Sequence, residues 1–258
     1  MIYSIQKALQ ILSVLSDEKN HPVSLMEIAS RTGYPKPTCS HILETLCHDG
    51  YAVRISQSAG YILGPSTYHL TRFGRYAEDL VLLCRPVMRW MERKSHATVI
   101  LSIIQSNQKF IIDYSDIEQN LFSEHPKIRT DDIYRTATGR AILAHMAPGQ
   151  LQAIWEKYGN PQPGHWENVT SYNSLLAELE QIRKKDMVVT NASKKDGSKI
   201  AVGYACPLFR NKVCIGAVGL AWTLPSTDAQ VEPETDELLR SILQKGVREI
   251  HRRLSYEE

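Results

Sequence analysis

The sequence predicts an α+β protein in two parts: a small winged helix-turn-helix head, then a larger mixed domain of strands and helices. Three observations carry this. The first 65 residues run helix, helix, tight turn, helix, hairpin. Beyond residue 98, β-branched apolar runs alternate with amphipathic helical stretches, the pattern of an α+β domain. With 258 residues, 43% of them hydrophobic, the chain is too long for a reader head alone and can bury a sizeable core.

Within the head, residues 5–15 place Ile5, Leu9, Leu12 and Leu15 at spacings of four and three, one face of an amphipathic helix. Ser24, three residues before Glu27, has the spacing of a capping box and opens a second helix, Leu25 to Arg31, that buries Leu25, Ile28 and Ala29. Gly33 stands where a helix ends in a left-handed residue. A third helix starts near Lys36. Pro37 is tolerated in its first turn, where its missing N–H has no partner to lose, and Asp49-Gly50 ends it. Ile42, Leu43 and Leu46 face inward. Tyr51–Ser56 and Gly60–Leu63, joined by Gln57-Ser58-Ala59, read as a hairpin wing.

After Pro65, residues 66–79 read as a helical connector, and residues 80–258 as the second domain. In order they predict a helix over 80–94, a hairpin from Thr98–Gln105 and Lys109–Tyr114, and helices over 137–146 and 149–157. A Pro/Gly/Asn-rich loop over 159–169, a helix over 174–185 and an extended run over 187–191 follow. Last come two strands, Ile200–Phe209 and Val213–Trp222, and a terminal helix, Pro233–Leu254.

Composition narrows the function. Thirty Lys and Arg against 28 Asp and Glu leave +2, so nucleic-acid binding needs local rather than global positive charge. Residues 1–75 hold seven Lys or Arg against five Asp or Glu. Cys39, Cys47, Cys84, Cys206 and Cys214 are scattered, with no two-residue spacing of a zinc or redox motif, and read as reduced thiols. No secretory leader and no membrane-length apolar run is seen, which predicts a cytoplasmic protein. Cys206 and Cys214 on neighbouring strands leave a thiol-dependent hydrolase as a distant alternative. There is no Gly-x-Ser-x-Gly elbow, no zinc helix and no phosphate-cradling loop, so no enzyme, cofactor or metal is expected. A head that serves protein contacts is the other alternative.

The segment GYPKPTCSHILETLCHDGYAVRISQSAGYILG, Gly33 to Gly64, resembles the reader head of the isocitrate lyase regulator (IclR) family, and SIQKALQILSVL, Ser4 to Leu15, resembles that family's first helix. Downstream, RTATGRAILA from Arg135 resembles its TA-x-GKA-xLA helix start. KIAVGYACPLF and VCIGAVGLAW resemble its paired sensor strands. The resemblance implies a homo-oligomer, a dimer or dimer of dimers, with a GAF-like domain that binds small sugar or aromatic acids and represses a catabolic operon.

A recognition helix offers its N-terminal side chains to base edges. Here these are Lys36, Thr38, Cys39, Ser40 and His41, with Lys36 suited to phosphate. The wing offers Arg54, Ser56, Gln57 and Ser58, and Lys7 and Arg31 are further phosphate candidates on double-stranded DNA. For the effector the resemblance implies three places: the helix start at Arg135, Thr136, Ala137, Thr138 and Gly139; the loop with Asp196; and the strand pair near Gly203, Tyr204, Gly219 and Ala221. The loop is lysine-rich, and Gly219 and Ala221 stand where the family often has serines. This predicts a roomier pocket for a bulkier or more anionic ligand.

Overall fold

In the computed structural model, which describes residues 2–16, 22–56, 59–72, 78–116, 129–130, 133–185, 187–193, 200–224 and 229–255, the chain divides into two units, Met1–Tyr76 and Ala77–Glu258. The first unit holds α1 (Tyr3–Ser16), α2 (Leu25–Thr32), α3 (Lys36–His48), the antiparallel hairpin β1 (Ala52–Ser56) and β2 (Gly60–Leu63), and α4 (Pro65–Arg72). The hydroxyl of Ser24 caps α2 by accepting the Glu27 N–H at 3.2 Å, while the Glu27 carboxylate turns to Arg31 at 2.7 Å. Gly33 closes α2 with φ of 72°, a left-handed turn that a side chain would strain. One core joins these elements: Ile11 and Leu15, Ile28, Leu43 and Leu46, Ala52 and Tyr61.

The first helix turns differently from the expected stripe. Ile5 and Leu9 are 54% and 59% exposed, and Ile11 is buried instead. Apolar residues lie nearly all round α1, so periodicity alone does not select the buried face. The connector begins as a helix tied to the head. The Ser66 hydroxyl donates to the Asp49 carbonyl at 2.9 Å, and the Ser66 N–H to Gly50 at 3.0 Å. The connector residues 73–77 lie outside the described residues.

In the second unit, β3 (Thr98–Gln105), β4 (Gln108–Ser115), β5 (Arg129–Thr130), β6 (Val188–Ser193), β7 (Ile200–Arg210) and β8 (Val213–Thr223) form one sheet in the order β5-β4-β3-β8-β7-β6, with every neighbouring pair antiparallel. Ser106-Asn107 and Asn211-Lys212 make the two-residue hairpin turns, each with φ between 50° and 64°. The helices are α5 (Glu78–Ser95), α6 (Ala137–Leu143), α7 (Pro148–Tyr158), α8 (Tyr172–Arg183) and α9 (Pro233–Leu254). The strand period of two sorts the sheet into faces. Leu101, Val202, Tyr204, Leu208, Val218 and Leu220 pack under α5 and α9 with Met88, Met91, Leu239 and Leu243. The opposite face is lined by Val188, Ala205 and Ala217, and carries Ala137, Ala141 and Ile142 of α6. Small side chains there let α6 lie close. Leu151, Ile154, Trp166, Leu175 and Leu179 make a further core around α7 and α8. The expected helix over 137–146 stops at Leu143, and the short edge strand β5 was not foreseen. No described helix is long and apolar enough to cross a membrane.

His251 on α9 accepts the Phe209 N–H through Nε2 at 3.1 Å, and burial pushes its pKa below the ordinary histidine range. His145 is pushed down by burial and, after it, by the nearby Arg183 cation. Unfolded histidine takes its proton near pH ~6.5. Below that pH the unfolded chain binds more protons than the folded one, so stability present at neutral pH is lost on acidification. The melting temperature of the second unit is therefore expected to fall from pH 7.5 to 5.5. His251→Asn, which keeps an acceptor for Phe209, should flatten that fall. A slope unchanged in the variant counts against the assignment.

Candidate functional site

The head presents one face of α3 outward. Cys39, Leu43 and Leu46 anchor the helix on the core, and their positions follow the helical period. The same period turns Lys36, Ser40, His41, Glu44 and Thr45 to the outside. His41 and Glu44, each with a side chain 83% exposed, approach to 3.9 Å. Glu44 and Thr45 were missed in the sequence, although the spacing of four from Ser40 and His41 marks them. Thr38 is half-buried at the rim of this face.

Cys39 is not on that face. Its thiol is fully buried, 3.8 Å from both the Thr32 hydroxyl and the Tyr34 carbonyl, so it is a core residue and not a base contact. The other basic candidates ring the face with their own partners. Lys36 Nζ lies 3.6 Å from Met26 Sδ, and Lys7 Nζ lies 5.2 Å over the Tyr34 ring. Arg31 pairs with Glu27, and Arg54 lies 5.7 Å over the buried Tyr61 ring. The Ser56 hydroxyl accepts the Ala59 N–H at 2.9 Å and so shapes the wing turn. Gln57 and Ser58 lie outside the described residues.

In the second unit, the start of α6 sits directly on the sheet. The Thr136 hydroxyl caps the helix by accepting the Gly139 N–H at 3.2 Å. Gly139 is buried against the Ile133 carbonyl, and a Cβ there would overlap it. A Cβ on Gly203 would lie 3.0 Å from Thr190 Oγ1 and 3.3 Å from the Ala137 methyl. One on Gly219 would lie 2.5 Å from the Tyr204 carbonyl and 2.9 Å from Thr138 Cγ2. The room that a missing serine was expected to open at Gly219 is thus taken by Thr138 and the Tyr204 carbonyl, while Ala137 lies over Gly203. Arg135, Thr136, Gly203 and Ala221 remain half-exposed around it. Thr190, buried on β6, was missed; it faces Gly203 across the strand pair. The loop with Asp196 lies outside the described residues.

Tyr204 does not belong to this group. Adjacent strand residues point to opposite faces, so Tyr204 packs under α9, where its hydroxyl donates to Asp236 at 2.7 Å and the Arg240 guanidinium lies 5.6 Å over its ring. Burial and the Asp236 carboxylate together hold its phenol protonated far above the ordinary range. The thiols read similarly: Cys206 is buried, burial pushes Cys84 up to about 12, and burial also raises Cys214. Thiols held protonated are poor nucleophiles. Among the described residues, no three His, Cys, Asp or Glu side chains gather as metal ligands would.

Comparison with known proteins follows the same division. Residues 4–56 match the IclR helix-turn-helix domain, and residues 76–252 match the family described as bacterial transcriptional regulator IclR C-terminal. The HTH-type transcriptional regulator BhcR of Paracoccus denitrificans is 23% identical over 93% of this chain and 85% of its own. The HTH-type transcriptional regulator KdgR of Escherichia coli is 24% identical over 87% and 83%. Among solved structures, an IclR homolog from Microbacterium hydrocarbonoxydans, complexed with 4-hydroxybenzoate, superposes with a TM-score of 0.70 at 18% identity, covering 98% of this chain and 99% of that one.

Proposed function

Because this chain belongs to the IclR family of bacterial transcription regulators, we propose that it represses a catabolic operon by docking the outward face of α3 in an operator and that a small organic acid in the second domain relieves the repression. It is a regulator with a helix-turn-helix head and an effector-binding C-terminal domain, not an enzyme. The observation that carries the reading is the division of α3: Cys39, Leu43 and Leu46 hold it to the core, leaving Ser40, His41, Glu44 and Thr45 clear.

In this reading Ser40 and His41 meet base edges with Thr38 beside them, and Glu44 accepts from a cytosine amino group. Lys36, Lys7 and Arg31 take phosphates, and Arg54, Ser56, Gln57 and Ser58 reach the flanking backbone. The modest charge of the head supports a homo-oligomer whose two heads meet half-sites one helical turn, or a multiple, apart. Retardation of promoter DNA should weaken steeply with salt, by about 0.9 decades of affinity per decade of salt for each phosphate neutralised. A head that serves protein contacts alone would retard no DNA.

The effector reading rests on the half-exposed Arg135, Thr136, Gly203 and Ala221, together with Asp196. A relative of the same fold binds 4-hydroxybenzoate, which supports an aromatic acid. Aromatic and sugar acids should raise the melting temperature of the full chain. Failure of every acid in both classes to do so would defeat this part of the reading.

A further inference from the structure

The second unit contains a cavity of about 460 Å³ at the other end of α6, within the range of small-molecule sites. Gly203, under the start of α6, and Phe209, at this cavity, are six residues apart on β7, about 20 Å along a strand. The space exists because β6 begins late. Val188 pairs with Ala205, and among the described residues no strand continues the ladder along that side of β7 beyond it. Arg183 at the end of α8, Lys185 just beyond it and Arg248 from α9 converge on this opening.

We propose that this cavity is a second ligand site, distinct from the effector site under the start of α6, and that it takes a small organic dianion, a phosphate monoester or a dicarboxylate. Three permanent cations line it, and none of the described residues that line it is acidic. Arg183, Lys185 and Arg248 are all exposed at the mouth of the cavity, so water screens their mutual repulsion, and an anion seated between them gains from all three. Among the described residues, two nearby carboxylates are committed to other cations. Glu249, next in sequence to Arg248, is held by Arg252 and Arg253, each at 2.8 Å. Glu180 takes one arm of Arg183 at 2.7 Å, and Arg183 Nε donates to the Ala144 carbonyl at 2.6 Å. Those two bonds fix the Arg183 guanidinium in place and partly offset its charge. Neither Lys185 nor Arg248 has an ion-pair partner among the described residues. About two positive charges are left to answer, which selects a dianion over a monoanion.

The walls set the body of the ligand. The His145 ring stands edge-on to Phe209, with centroids 5.0 Å apart and planes at 86°. His251, whose Nε2 accepts the Phe209 N–H, is held as a neutral ring with Nδ1–H left to donate. Burial keeps both histidines uncharged at neutral pH. Pro207 and Val247 complete an apolar wall. A planar or apolar body with two charges at one end fits this arrangement.

The test is calorimetry and thermal melting of the full chain with phenyl phosphate, phthalate and benzoate at constant ionic strength. Saturable binding of at least one dianion is expected, with a melting shift of about 5–11 °C at a hundredfold excess over Kd, while any response to benzoate, which belongs to the effector site, should be the same in the parent and in Lys185→Gln/Arg248→Gln. Phenyl phosphate alone would assign a phosphate ester, and phthalate alone a dicarboxylate. In Lys185→Gln/Arg248→Gln the unliganded melting temperature should hold while dianion affinity falls at least tenfold. Gly203→Val, at the other end of β7, should leave dianion affinity unchanged in whatever fraction remains folded. No saturable dianion binding, dianion affinity unchanged in the double variant, or benzoate affinity that falls in the double variant as far as dianion affinity does would overturn the proposal.

Discussion

Ser40→Glu is expected to abolish operator retardation and leave the melting temperature of the head within about 2–4 °C of the parent. Ser40 is exposed on the outward face of α3 and, among the described residues, makes no side-chain bond that holds the head together. An exposed helical Ser→Glu change lies within about half a kcal/mol of neutral for folding. In a major groove the same change replaces a small donor-acceptor by a carboxylate facing base acceptors and phosphates. A good base contact is worth about 1–3 kcal/mol. Losing about 2 kcal/mol in each of two heads amounts to about a thousandfold loss of affinity. Cys39→Ala, one residue away, should do the reverse: it opens a small void in the head core, lowering stability by about 1–2 kcal/mol while leaving the pattern of base preference unchanged. If Ser40→Glu binds the operator as the parent does, or if Cys39→Ala alters sequence preference without altering stability, the assignment of the reading face is wrong.

That contrast also shows where the sequence was legible. The order of elements in the head follows from turn and cap chemistry local to a few residues, such as Ser24, Gly33 and Pro37, and the terminal helix Pro233–Leu254 stands within its predicted bounds. Facing is harder. The helical period that buries Leu43 and Leu46 also buries Cys39, so the sequence contained the information. Treating the first turn of a recognition helix as uniformly available overrode it. In α1 the information was absent, because Ile5 and Leu9 outside are as apolar as Ile11 and Leu15 inside. Only the neighbouring elements decide which stripe is covered.

The strand pair repeats the lesson with period two. Gly203 and Tyr204 are adjacent, so one pocket cannot hold both. The alternation of Val202, Tyr204, Cys206 and Leu208 against Gly203 and Ala205 marks Tyr204 as belonging to the α9 side. What no local pattern reveals is that α6 descends onto Gly203 and Gly219. That contact joins residues about 80 positions apart in the chain, and only the folded sheet brings them together. The cationic cavity at the far end of α6 was invisible for the same reason. Arg183, Lys185 and Arg248 lie on two helices and a turn, and each reads singly as an ordinary surface charge.

Gly219→Ser puts this reading of the helix–sheet contact to its strictest trial. A family-like serine at this position would be expected, from the resemblance alone, to add a hydroxyl to the effector pocket at little cost. The geometry predicts damage instead. The new Cβ would stand 2.5 Å from the Tyr204 carbonyl of the neighbouring strand and 2.9 Å from the Thr138 methyl. Backbone is a poor absorber of such overlap, and interiors are packed too tightly to yield elsewhere. Overpacking of this kind costs about 1–3 kcal/mol and occasionally more. At about 2–4 °C per kcal/mol for a unit of this size, the melting temperature should fall by about 2–12 °C, by thermal denaturation of the full chain. Thr138→Ala removes one of the two obstructing groups, so Gly219→Ser/Thr138→Ala should be at least ~1 kcal/mol more stable than the two single changes predict by addition. The Tyr204 carbonyl stays, so full recovery is not expected. A serine that is tolerated, or a double variant that is merely additive, would mean that α6 stands off the sheet at Gly219.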